Sequence, residues 1–421
     1  MQNENSLFVS QTIAKGASFS SIIAVFLTIF VSDDTLLFGH TDSISMIVAK
    51  IIVNLGLFFF FLRDARPHQA LIFGAIFLLM FVLSMTANAD FGINYGYVIF
   101  MMALAYVFTG KITLHLYAYW FVRILFILSI VSVFYWLVMR INGGALSGLP
   151  TVTNNLGYPA STIFICSSYG ASAMRAMSIF REPGVYAMYL AMALVFELLF
   201  LEKKSIWRQV VFVVSMFLTF SSSGILMLVP IGIAWLTMRG RSGRSFLWAG
   251  LMVIVCLLVV FFNEEVMHRA ISRNLSEDML EANPRIVSQI VPFCIWLENP
   301  IGGVGISGFL PEWELKTGEM YGVMLGEGIS TSTFANGLAK YGILWAVILI
   351  PLYSLSRQLS IGNSVGKWCI YATIIGMLLA QNFPYCVFLW VLIFYGCRAF
   401  YTRERFMGNA RSVPVGRGIM R

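Results

Sequence analysis

Residues 175–184 read Arg-Ala-Met-Ser-Ile-Phe-Arg-Glu-Pro-Gly, which sets two guanidinium groups, Arg175 and Arg181, beside one carboxylate, Glu182. A guanidinium is a planar fork of donors that engages phosphate oxygens two at a time. A carboxylate beside such groups takes up a proton or holds their geometry. Pro183 suits the first turn of a helix, and residues 185–201 are an apolar run. Spacing alone leaves two readings open. One is an anion site with an adjacent base; the other is a rim of arginines meeting lipid phosphates ahead of a helix.

A second group follows later in the chain: Pro284-Arg285, Trp296 and the glycine run Gly302-Gly303-Val304-Gly305. The run lacks the preceding strand that a nucleotide-cradling loop needs, so it reads as a tight turn against the membrane. Trp296 and Trp313 have the flat apolar faces that stack on sugars. Lys50 lies inside an apolar run, and intramembrane charges face protein or water. Its place toward the outside end of that run puts an anion there within reach. Arg123 and Glu197 lie nearer the opposite end and read as snorkelling charges. His268 with Glu264 and Glu265 reads as an exposed helix face, as do Glu277, Asp278 and Glu281. The six cysteines, Cys166, Cys256, Cys294, Cys369, Cys386 and Cys397, have no metal-ligand spacing. No metal and no cofactor is expected, and Cys166 and Cys294, both in outside loops, read as free thiols.

The elements that must carry these residues are helices. The chain has 421 residues, 59% hydrophobic and 11% charged, with a mean hydropathy of +0.81. A soluble domain carries roughly a quarter charged residues. Apolar stretches of about 17 to 25 residues recur throughout, long enough as helices to cross ~30 Å of hydrocarbon. The expected fold class is an all-α polytopic membrane protein, a single transmembrane domain over 1–421 with about twelve transmembrane helices. The runs fall at 12–31, 43–62, 69–86, 93–109, 116–139, 184–201, 206–220, 224–238, 245–262, 334–354, 366–381 and 384–400. The first lacks a small-residue cleavage site before Asp33-Asp34 and reads as a retained helix.

Arg63, Arg66, Lys111, Lys203, Lys204, Arg208, Arg239, Arg241, Arg244, Arg357, Lys367 and the basic tail all fall in alternate connections. The positive-inside rule then puts both termini in the cytoplasm. The same rule accounts for the net charge of +8 without a nucleic-acid partner. Two connections, 140–183 and 263–333, exceed ordinary loop lengths and fall outside, and loops that long usually carry function.

In their order and placement these motifs carry a resemblance. Arg175 to Gly184 opening a helix resembles the Wzy-type O-antigen and exopolysaccharide polymerases, as does the serine-glycine turn Thr219-Phe220-Ser221-Ser222-Ser223-Gly224. Pro284-Arg285, Trp296, Asn299 to Gly305 and Phe309, continued by Phe334 to Gly342, resemble the second-loop pattern shared by those polymerases and the O-antigen ligases. The motifs cover roughly residues 175–350, and the topology covers the whole chain. The resemblance implies a GT-C-like bundle with two long periplasmic loops in a bacterial inner membrane, its active site facing the periplasm. It implies an undecaprenyl-diphosphate-linked oligosaccharide as substrate, the bilayer as setting, and a chain-length regulator and a flippase as partners. It implies Glu182, Arg175 and Arg285 as catalytic residues, Glu182 being base or arginine-orienting group, with Arg181, Lys50, Gly303, Gly305 and Trp296 binding substrate. Ligases carry a histidine where this chain has Ser330-Thr331-Ser332-Thr333, which favours polymerase over ligase. A transporter or flippase of lipid-linked sugars is the reading from another class. It calls for internal repeats and interrupted mid-bilayer helices, whereas the polar groups here gather in loops.

Overall fold

A helix satisfies its own backbone hydrogen bonds, which an apolar surrounding cannot do, and the described apolar runs of this chain overlap helices. The computed structural model describes residues 19–39, 43–63, 68–142, 148, 150–153, 159–162, 167–169, 175–239, 284–322, 324, 326, 330–383 and 385–411, with backbone alone at 151–153, 159–162, 167–169, 239, 284–286 and 403–411. In chain order the helices are α1 (Phe19–Phe30), α2 (Leu36–Gly39), α3 (Ile44–Leu62), α4 (Leu71–Ala87), α5 (Ile93–Lys111) and α6 (Leu114–Ile141). After a small sheet come α7 (Pro183–Val195), which continues as a π-helical turn over Phe196–Phe200, α8 (Ile206–Leu218) and α9 (Ser222–Arg239). The chain resumes with α10 (Pro284–Glu298), α11 (Gly305–Tyr321), α12 (Thr333–Tyr341), a 3₁₀ segment over Ile343–Ile348 leading into α13 (Leu349–Leu359), α14 (Ser364–Ala380) and α15 (Val387–Arg411).

Among the described residues, four helical stretches are long and apolar enough to cross a membrane: Ile44–Leu62, Ile93–Lys111, Leu114–Ile141 and Pro183–Phe200. Shorter apolar helices surround them. Every expected run overlaps a helix except 245–262, which lies outside the described residues, as do His268 and its acidic neighbours. A helix apolar all round belongs in a core, and α7 is that helix, buried at every residue. Helices α3 and α4 instead leave Ile52, Phe59, Leu79 and Val82 exposed, as suits an apolar surrounding.

Two details are added to the sequence reading. One concerns the loop at 140–183. It carries a four-stranded antiparallel meander, β1 (Thr151–Thr153), β2 (Pro159–Thr162), β3 (Ser167–Tyr169) and β4 (Ala176–Ser178), and β4 leads through one turn into the Arg181 segment. The run at 334–354 is not one helix, because the chain turns at Gly342 (φ +76°). What precedes the turn, α12, stays at one end of the bundle. Its first residue, Thr333, donates through its amide to Gln381 O at the end of α14 (3.1 Å). Near its last residue, Lys340 O accepts from Ser84 Oγ in the final turn of α4 (2.8 Å). The ends of α4 and α14 share this level because α15 runs antiparallel to α4. Phe73 meets Phe400, while Phe77 and Phe81 meet Trp390.

Candidate functional site

The Arg181 segment is fixed by the chain just after α1. Arg181 N donates to Asp34 O (2.9 Å) and Leu36 N to Ile179 O (2.9 Å), with Thr35 and Phe180 paired as an isolated antiparallel bridge. Phe180 is buried against Tyr186 and Tyr189 of α7, ring centroids 5.4 and 4.4 Å away. Phe180 thus anchors the strand and leaves Arg181 and Glu182 at its end. Glu182 is the N-cap residue of α7 and Pro183 its first residue. The Glu182 carboxylate is half-buried and makes no hydrogen bond or ion pair to any described residue.

Around this point several helix starts meet. A Cβ at Gly184 would strike the Gln381 side chain, so α7 begins in direct contact with the loop after α14. Arg181 Nη2 donates to Asn382 O in the same loop. Thr333 Oγ1 bonds Gln381 O and accepts from Phe383 N (2.7 Å), which brings in the start of α12. Ser288 Oγ lies 3.1 Å from Thr331 Oγ1, and Gln289 Nε2 donates to Leu379 O (2.6 Å), which brings in the first turns of α10. Arg285 belongs to the first turn of that helix; its side chain lies outside the described residues. Helix N termini carry partial positive charge and unpaired amides, a setting that favours anions.

Lys50 belongs to the same end of the molecule, held by Asp33 and a carbonyl. Its Nζ bonds Asp33 Oδ1 at 2.6 Å and Phe38 O at 3.3 Å, and Tyr97 donates to Asp33 Oδ2 at 2.9 Å. The neighbouring Asp34 is buried, at 1% exposure. Its Oδ2 accepts from Tyr189 Oη at 2.8 Å. Burial pushes its carboxyl up to about 6, against the lowering pull of the Arg181 guanidinium, the Tyr189 hydroxyl and the Cys386 thiol. Sequence reading passed over Asp33-Asp34 as loop acids. The available signal was a pair of carboxylates directly after an apolar run, with a lysine inside the next one.

Other candidates stand elsewhere. Arg175 Nε and Nη2 donate to Thr219 O (2.8 Å) and Phe220 O (3.3 Å). These carbonyls end α8, where helices leave acceptors open and cations are favoured, so Arg175 ties the sheet to the serine-glycine turn. Gly303 and Gly305 lie at the far end of α12. Gly303 has φ +65°, and a Cβ there would sit 2.5 Å from Ala339 O. Val304 N donates to that carbonyl at 2.8 Å, so the glycine run is a packing joint between α12 and the loop before α11. Trp296 Nε1 donates to Pro300 O (3.3 Å) beside this joint. The nine residues of α12 separate joint and Arg181 by about 12 Å at 1.5 Å per residue.

Cys294 is a free, half-buried thiol; Cys166 lies outside the described residues. Among the described residues no group of three or more His, Cys, Asp or Glu side chains is placed to hold a metal ion. A cavity of about 460 Å³ opens at the other end of α7, between Leu199, Lys204, Trp235, Met238 and Ser360, and none of the sequence-derived candidates lines it. The fold and site together define a largely helical protein with apolar helices of membrane-spanning length and a group of charged side chains at one end of its bundle. Compared with models of known families and with curated proteins, the sequence gives no match.

Proposed function

We propose that the chain is a polysaccharide polymerase that lengthens oligosaccharides carried on undecaprenyl diphosphate at the periplasmic face of a bacterial inner membrane. The observation that carries the reading is the meeting of Arg181 and Glu182 with the starts of α10 and α12 around residues 379–383. In the reaction an acceptor sugar hydroxyl attacks the anomeric carbon of the donor chain. The bond from that carbon to the diphosphate oxygen breaks, and its electron pair leaves with the lipid diphosphate. Two demands follow. Positive charge must meet the departing diphosphate, and Arg181, Arg285 and the helix N termini supply it. A base must take the hydroxyl proton, and Glu182 is the carboxylate beside Arg181 that has no partner among the described residues. The single displacement inverts the anomeric centre. The motif resemblance from residue 175 to 350 supports the same reading.

Deletion of the gene followed by a glycan profile tests it. Cells should keep single repeat units on lipid A-core and lose long chains. Long chains that build up on undecaprenyl diphosphate and never reach core would instead mark a ligase. Lipid-linked units trapped on the cytoplasmic face would mark a flippase.

A further inference from the structure

We infer that α10 is seated on the bilayer, its outward face a lipid-contacting surface that carries the exposed apolar band of α4 across the end of the bundle. The helix is apolar on two separate faces. Val287, Val291 and Ile295 form the inner face and are buried in a small core with Phe309 and Trp313 of α11 and Ala339 of α12. Ile290, Phe293 and Leu297, spaced three and four residues apart, share a different face and are exposed at 41%, 46% and 58%. Cys294, half-buried, lies on the same arc, so among the described residues that face carries no charge. A helix that packs one face on protein and turns the other to water is polar on the second. Neighbouring α11 has that pattern. Its outer side mixes Leu315 and Met320 with Glu319, and Lys316 Nζ meets Glu298 Oε1 at 2.8 Å and Glu319 Oε2 at 2.9 Å, both acids more than half exposed. The outer face of α10 is instead built for an apolar surrounding.

Continuity with the bundle identifies that surrounding as lipid. Near the start of α10, Gln289 Nε2 donates to Leu379 O in the last turn of α14 (2.6 Å). Beyond its end, a Cβ at Gly302 would press on Ala87 Cβ, the last residue of α4. Ile343 N donates to Pro300 O at 2.8 Å in the same stretch. The fifteen residues of α10, about 22 Å long at about 1.5 Å per residue, thus bridge the ends of α14 and α4. Exposed apolar side chains stand at both junctions: Leu379 at the first, and Val82, Leu83, Ile301 and Ile343 at the second. Hydrocarbon around α4 and α14 therefore meets α10 at their ends, where a helix with an apolar face lies in the plane of the membrane. A continuous exposed apolar surface of this kind marks a membrane or partner contact. The seating holds the first turns of α10, which reach Leu379 and Thr331, at the level of the lipid head groups. It holds whatever reaction the chain performs.

The test uses the purified full-length protein in phosphatidylcholine vesicles doped with a phosphatidylcholine that carries a diazirine on one acyl chain. Illumination inserts the acyl carbene into what it touches, and peptide mapping in a mass spectrometer reads the lipid adducts residue by residue. Ile290, Phe293 and Leu297 should carry adduct at the level of Leu79 and Val82 of α4, and about 10-fold above Leu315 and Met320 of α11. Adduct on α10 no higher than on α11, with α4 labelled, overturns the inference. Loss of adduct from Leu79 and Val82 as well overturns it too, because the band that α10 continues is then not in lipid.

A second arm places p-benzoylphenylalanine at position 293 in the same vesicles. Illumination should give a monomer bearing lipid. A cross-link to residues 240–283, which lie outside the described residues, would show that the chain covers this face itself. A cross-linked dimer would show that a second copy does. Either product in place of the lipid adduct overturns the seating.

Discussion

Helix α7 with its π turn has an acid near each end, and the two are treated in opposite ways. Glu197, in the π turn, is fully buried and fully paired. Arg208 Nε meets its Oε2 at 2.9 Å and Arg208 Nη2 its Oε1 at 3.0 Å, while Ser205 N donates to Oε1. That is a closed clamp joining the end of the buried helix to the start of α8. Glu182, at the other end, is half-buried with neither oxygen bonded to a described residue, beside an arginine whose geometry is fixed by other groups. A paired buried carboxylate holds structure, and an open one beside a fixed cation is available for chemistry. The difference separates a staple from a site on a single helix.

Substitutions at the two acids should therefore split stability from activity. The largest expected effect is Glu182→Gln, which should lower chain extension by about 10²- to 10⁴-fold while leaving the melting curve unchanged; a glycan ladder and a thermal scan on the same preparation check both halves. Next comes Glu197→Gln. Breaking one partner of a buried pair costs about 3–5 kcal/mol, so this variant should unfold at clearly lower temperature while each folded molecule retains its rate. If Glu197→Gln instead keeps its stability and loses rate, the contrast between the two ends collapses.

The helices were legible because apolar run length registers directly in the sequence, and each described run overlaps a helix. What escaped has physical causes. Strands of three or four residues such as Thr151–Thr153 and Ser167–Tyr169 are too short to show alternation above background. The break at Gly342 hid inside a continuous apolar run, since a single glycine does not interrupt hydropathy. Arg181, Glu182 and Lys50 were legible as candidates from their residue types, and the structure sets them at one end of the bundle. Arg175, equally prominent in sequence, is occupied with the carbonyls of Thr219 and Phe220. Of the glycine run, Gly303 packs against α12 and Gly305 against Asp90, Asn88 and Tyr95. Asp34 was missed because its partners, Arg181, Tyr189 and Cys386, all lie more than 140 positions away, and only the fold brings them together.

Two smaller effects sharpen the contrast. Arg175→Ala removes hydrogen bonds from a charged donor, each worth about 1.5–3 kcal/mol, so the protein should melt earlier; restored stability in Arg175→Lys would point to charge rather than the guanidinium fork. At Asp34 the sign runs the other way. Its folded carboxyl lies near 6, above the ordinary value of 3.8, so the stability linked to its protonated form is complete below 3.8 and is lost as pH rises through about 6. A shift of about two pH units corresponds to about 3 kcal/mol. Asp34→Asn should recover part of that at pH 7.5, and its melting temperature should vary less with pH between 4 and 7 than the parent's.

The central claim is that the Arg181–Glu182 end of α7 carries out glycosyl transfer. The direct measurement is purified protein in proteoliposomes, given an undecaprenyl-diphosphate-linked oligosaccharide and read as a ladder of chain lengths. The account predicts a ladder with release of undecaprenyl diphosphate from the parent and from Arg175→Lys, and none from Glu182→Gln. A ladder from Glu182→Gln equal to the parent's, or no lengthening by the parent, would contradict it.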